Sequence, residues 1–109
     1  MNLLRGELYW AEMPEIGRKL FLIVSWNAVN RGLRQPIVAR VTATERERAL
    51  PTHVELKPGE GGVPERSWIL CHELVTLRES NFVERLGELP LGRVLEVDTA
   101  LKRALDLSQ

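Results

Sequence analysis

His53, His72 and Cys71 are the side chains whose types suggest acid, base or nucleophile chemistry near neutral pH. Histidine titrates in the physiological range, so two of them could share a reaction, one as base and one as acid. His53, however, falls in the alternating segment His53-Val54-Glu55-Leu56, where a strand position is the plainer role. One cysteine and two histidines have no recognisable zinc-site spacing, and a single cysteine forms no internal disulfide. That cysteine usage fits a reducing compartment. The stretch Pro58-Gly59-Glu60-Gly61-Gly62-Val63-Pro64 is glycine-rich but lacks the lysine and hydroxyl that end a phosphate-binding loop, so a flexible connector is expected.

What remains is cations and hydroxyls. Net charge is zero, yet the segment from Arg18 to Arg48 holds seven basic residues (Arg18, Lys19, Arg31, Arg34, Arg40, Arg46 and Arg48) against Glu45 and Glu47. The segment from Glu55 to Asp98 leans acidic, nine carboxylates to five cations. A local positive field attracts a polyanion even where the total charge cancels, although a scattered solvated surface gives the same count.

Positioning these groups falls to short strands. Residues 8–11 have strand composition, with Tyr9 and Trp10 on opposite faces. Residues 20–24 are a continuous apolar run, as in a strand buried on both faces. Residues 36–42 alternate, Ile37, Ala39 and Val41 one way and Val38, Arg40 and Thr42 the other. Residues 53–56 and 67–71, or 67–76 if that strand runs on, complete the β segments. Ser80 is placed to cap a helical turn through Leu86, and Pro90 to start a terminal helix. Its expected apolar face is Leu91, Val94, Leu95, Leu101, Ala104 and Leu105, interrupted by Asp98. Strands followed by one covering helix predict a mainly β domain with α: a strongly curved antiparallel sheet, close to a small barrel, with a C-terminal helix. At 109 residues the chain is expected to be one domain, residues 1–109, and its 44 % apolar and 28 % charged content suits a compact interior.

Four stretches give this pattern a family. Arg5-Gly6-Glu7-Leu8-Tyr9-Trp10, Phe21-Leu22-Ile23-Val24-Ser25-Trp26-Asn27, Arg40-Val41-Thr42-Ala43-Thr44 and Leu50-Pro51-Thr52-His53-Val54-Glu55-Leu56 together resemble the MazF/PemK family of toxin endoribonucleases, over residues 5–107. The resemblance implies the SH3-like barrel of the MazF/PemK/CcdB plasmid-maintenance toxins. It also implies a homodimer, a co-encoded antitoxin as partner and sequence-selective cutting of single-stranded RNA, with no cofactor or metal. RNA carries its own nucleophile, the 2′-hydroxyl. The protein has to stabilise the charged transition state and protonate the departing 5′-oxygen, leaving a 2′,3′-cyclic phosphate and a 5′-hydroxyl.

Family members place a cation, usually arginine before proline, ahead of the apolar second strand, and a Thr or Ser at the end of the third. Matching puts Lys19 at the cation position, Leu20 at the proline position and Thr42 at the hydroxyl position. A register slip of one would make Arg18 the cation. Lysine is a point charge without arginine's planar fork, so Lys19 is expected to stabilise charge and protonate the leaving group. The first loop is also shorter than in many relatives. RNA contacts are expected from Ser25, Asn27, Asn30 and Arg31 after the second strand, from Arg46 and Arg48 in the loop bordering the groove, and from His72 and Glu73, where relatives carry polar groove residues. Trp68 is expected in the core, and Trp26 either stacks on bases or packs.

Relatives of this fold also include the gyrase poison CcdB, so a non-enzymatic toxin acting on a protein target is the competing expectation, with a weakened RNA-binding module as a third. The chain has no apolar run long enough to span a membrane, and no basic stretch followed by an apolar core near residue 1, so a cytoplasmic protein is expected.

Overall fold

A computed structural model describes residues 2–44 and 50–107. The elements run β1 Glu7–Met13, β2 Gly17–Ile23, α1 Asn27–Leu33, β3 Ile37–Thr42, β4 His53–Leu56, β5 Ser67–Thr76, β6 Phe82–Glu88 and α2 Leu91–Ala104. Single 3-10 turns lie at Glu60–Gly62 and Glu79–Asn81. Among the described residues the strands form one antiparallel sheet ordered β4-β5-β3-β2-β1-β6. Its register shifts within the β1–β6 and β3–β5 pairs mark the bulges that curve it. The edge strands β4 and β6 are not paired with each other, so the barrel is open.

Both faces of the sheet are covered. Leu8, Leu20, Leu22, Ala39, Val41, Val54, Leu56 and Ile69 point to one side, where Val97 and Ala100 of α2 close the core. Tyr9, Phe21, Ile23 and Val38 point to the other, under Leu3, Leu77 and Phe82. The run Leu20, Phe21, Leu22, Ile23 is therefore buried residue by residue, as its unbroken hydrophobicity predicts.

Four expectations are corrected. The segment from Ser80 to Leu86 is not helical: Asn81 closes a 3-10 turn, accepting from the Arg78 N–H (3.2 Å) and donating to the Glu12 carbonyl (3.1 Å). The chain then pairs with β1 as strand β6, so edge pairing overrides the local cap signal. Residues 27–33 form α1 rather than a loop; only Asn30 is buried on it, so no apolar period announced it. On α2 the inward side is Val94, Val97, Ala100 and Leu101, whereas Leu91 (74 %) and Leu95 (60 %) are exposed. Asp98 lies on the flank and pairs with Arg5 at 2.7 Å.

The glycine-rich segment is packed rather than loose. Gly61 and Gly62 adopt φ of +65° and +90°, and a Cβ on Gly87 of β6 would lie 2.4 Å from the Gly61 carbonyl oxygen. Backbone meets backbone here, which only glycine permits.

Candidate active site

The antiparallel register of β2 and β3 builds the site. Phe21 faces Arg40 and Leu20 faces Val41. Lys19 and Thr42 follow just beyond the last of these pairs, and alternation along each strand puts them on the Phe21–Arg40 side of the sheet. Both are half-buried and line one cleft of about 240 Å³ together with Trp10, Arg18, Arg40 and Glu65. The two residues matched to catalytic positions thus share a cleft although they are far apart in the chain.

Their surroundings suit an anion. Among the described residues no carboxylate pairs with Lys19. The Thr42 Oγ1 accepts the Thr44 N–H at 3.2 Å, which fixes the oxygen and leaves the hydroxyl proton free to donate outward. Arg18 is engaged elsewhere: its guanidinium lies 5.5 Å from the centroid of the Trp10 ring and donates to Glu84. The arrangement offers a point charge and a hydroxyl donor to one tetrahedral anion.

The remaining expected contacts are dispersed. Ser25 and Asn30 are buried and satisfy each other: the Ser25 hydroxyl donates to Asn30 Oδ1, Asn30 Nδ2 donates to the Ser25 carbonyl (3.1 Å), and Ser25 Oγ accepts the Ile37 N–H (2.9 Å). A polar strand-to-helix turn needs such internal partners once enclosed, and these bonds occupy both side chains. Asn27 begins α1 and accepts the Arg5 N–H at 2.6 Å. Arg31 is exposed beside Arg34 and Glu79, in a depression separate from the Lys19–Thr42 cleft.

His72 and Glu73 are exposed on β5 and do not line the Lys19–Thr42 cleft. The His72 ring stacks on His53 with centroids 5.4 Å apart, and its Nδ1 bonds the Thr52 hydroxyl at 2.8 Å. Beneath them Cys71 is fully enclosed, and burial pushes its thiol up to about 11, so it is no nucleophile at neutral pH. Arg46 and Arg48 lie outside the described residues. Trp68 is buried opposite Thr42, as expected, with the Arg66 guanidinium 4.7 Å from its ring centroid, whereas Trp26 is 72 % exposed. Arg40 was missing from the expected site. Strand alternation set Arg40 and Thr42 on one face, but nothing in the sequence separated Arg40 from an ordinary outward strand arginine.

An open, curved antiparallel sheet with one covering helix and a cation–hydroxyl cleft defines a small β domain suited to an anionic ligand. The chain belongs to the family described as PemK-like, MazF-like toxin of type II toxin-antitoxin system, whose model matches residues 4–105. It is 37 % identical over 105 residues to the probable endoribonuclease MazF5 of Mycobacterium tuberculosis, covering 96 % of this chain and 94 % of that one. It is 32 % identical to endoribonuclease MazF2 of Mycobacterium bovis, covering 98 % of this chain and all of the relative. A solved mycobacterial endoribonuclease in complex with its cognate antitoxin superposes with a TM-score of 0.86 at 32 % identity, covering 98 % of each chain. The strongly curved fold expected from the strand pattern is thereby borne out.

Proposed function

We propose that this chain is the toxin of a type II toxin-antitoxin system and an endoribonuclease that cuts single-stranded RNA without a metal. The observation that carries the reading is the shared cleft of Lys19 and Thr42. The RNA 2′-hydroxyl attacks the adjacent phosphorus, giving its proton to solvent water as the new O–P bond forms and the bond to the 5′-oxygen breaks. Lys19 places its charge on a non-bridging oxygen and passes a proton to the leaving 5′-oxygen, while Thr42 donates its hydroxyl to the phosphate. The products are a 2′,3′-cyclic phosphate and a 5′-hydroxyl. Names of the relatives support the activity, since MazF5 and MazF2 are called endoribonucleases.

By the same similarity the protein works as a homodimer in the cytoplasm and is neutralised by a cognate antitoxin, the kind of partner with which the solved mycobacterial relative is in complex. Among the described residues no helix is long and apolar enough to cross a membrane. The test is digestion of a mixed RNA pool in excess chelator by the parent, Lys19→Ala and Thr42→Ala, with the new ends mapped. Cutting by the parent and loss in both variants is expected. Equal cutting by all three removes the assignment of the site.

A further inference from the structure

Arg40 sits in mid-strand on β3, between Phe21 of β2 and Leu70 of β5. Both neighbours are buried apolar side chains, at 3 % and 1 % exposure, so the guanidinium stem is held in an environment that penalises charge. Its Nε is buried and has no hydrogen-bond acceptor among the described residues. No described carboxylate pairs with the group either. By contrast, Arg85 is held by Glu7 at 2.7 Å and Arg93 by Glu60 at 3.0 Å. With no carboxylate beside it among the described residues, the half-buried Arg40 guanidinium keeps its charge for whatever enters the cleft.

The cleft supplies the direction. Arg40 lines the same opening as Lys19 and Thr42. It lies two residues from Thr42 on the same face of β3, about 6.6 Å along the strand, within the span of an arginine side chain. Lys19 offers a single rotating ammonium, which stabilises charge but does not fix the plane of a phosphate. Thr42 offers one donor. Neither supplies two parallel N–H groups, the geometry that holds two non-bridging oxygens at once.

We infer that Arg40 is a third substrate-contacting residue of this cleft, making the two-pronged contact with the scissile phosphate that Lys19 cannot make. Arg40 orients the phosphorus for in-line attack, Lys19 carries the leaving-group proton, and Thr42 completes the anion cradle. The inference rests on the reading of this cleft as an RNA-cutting site, and it adds a phosphate-orienting group that the matched pair does not contain.

The test compares the parent, Arg40→Lys and Arg40→Gln on an RNA carrying the cut site mapped with the parent. Single-turnover cleavage is measured alongside binding of the same RNA with a 2′-deoxy nucleotide at that site, across a salt series. Arg40→Lys keeps charge and stem but loses the fork, and is expected to slow cleavage by about 10- to 100-fold at an unchanged cut sequence. Arg40→Gln removes the charge and should lower the salt slope of binding by about one. The inference is overturned if Arg40→Lys stays within about twofold of the parent. A changed cut sequence also overturns it, since that would make Arg40 a base reader. If Arg40→Gln does not fold, the charge-preserving Arg40→Lys decides the matter. A parent that cuts no RNA refutes the endoribonuclease reading itself, a result visible before any variant is made.

Discussion

Arg18 and Lys19 are adjacent in the chain but held in opposite ways: the Arg18 guanidinium lies over Trp10 and donates to Glu84, while Lys19 shares its cleft with Thr42 and pairs with no described carboxylate. The contrast selects between the two candidate cations. Lys19→Ala is expected to lower kcat/KM for RNA by about 10²- to 10³-fold, the usual loss when a charge-stabilising donor is removed. Arg18→Ala removes an exposed ion pair and a ring contact, and should leave kcat/KM within about fivefold of the parent, because such surface pairs contribute little. Cleavage kinetics on one oligonucleotide settle it: a larger loss in Arg18→Ala than in Lys19→Ala would reverse the assignment.

Thr42 can be separated from its strand role by shape. Thr42→Val keeps the β-branched form that suits β3 but removes the hydroxyl, and should slow cleavage by about 10- to 100-fold. Thermal midpoints should stay within about 3 °C, since among the described residues the one internal bond lost is that from the Thr44 N–H. Thr42→Ser keeps the donor and should retain most activity. A fully active Thr42→Val would mean that Thr42 only shapes the strand.

Much of this fold was legible because apolar runs and alternation report directly on burial. The strands at 53–56 and 36–42 fall within a residue of β4 and β3. The Pro90 start of α2 was legible too, because proline fixes its own φ and lacks an N–H. Three features were not. Helix α1 is anchored by the polar Ser25–Asn30 pair instead of an apolar stripe, so hydrophobic periodicity is silent there. Strand β6 buries only Phe82, so it shows no alternation and is specified by its neighbour β1. Arg40 looks like any outward strand residue until the sheet curvature and the loss of an acceptor at Nε are seen.

The packed glycines give a stability prediction with an internal control. A Cβ at position 62 would meet the Leu86 carbonyl oxygen at 2.6 Å with φ at +90°, and one at position 87 would meet the Gly61 oxygen at 2.4 Å. Gly62→Ala and Gly87→Ala should each destabilise the protein by at least about 2 kcal/mol, through clash and strain at fixed backbone. Gly92, on the first turn of α2, has nothing within 4 Å. Gly92→Ala should instead stabilise by about 0.5 kcal/mol from helix propensity. Urea unfolding of the three variants checks the ranking, and a stable Gly87→Ala would show that the segment is not held against β6 as described.

Cys71 sets a pH dependence. Its thiol is buried, and burial raises its pKa from 9.0 to about 11 in the folded state. In that interval the unfolded chain has released the proton and the folded one has kept it. The unfolded state therefore binds fewer protons, and stability falls as pH rises. The contribution is complete below pH 9 and is lost towards pH 11, at a slope approaching about 1.4 kcal/mol per pH unit between the two. Tyr9, whose hydroxyl is raised by burial and by Glu7, adds loss of the same sign above pH 10. Urea midpoints of the parent and Cys71→Val between about pH 7 and 10.5 isolate the thiol, because the tyrosine contribution is common to both. The parent should lose stability more steeply than Cys71→Val above pH 9, and parallel curves would mean that the thiol ionises in the folded protein as readily as in the unfolded chain.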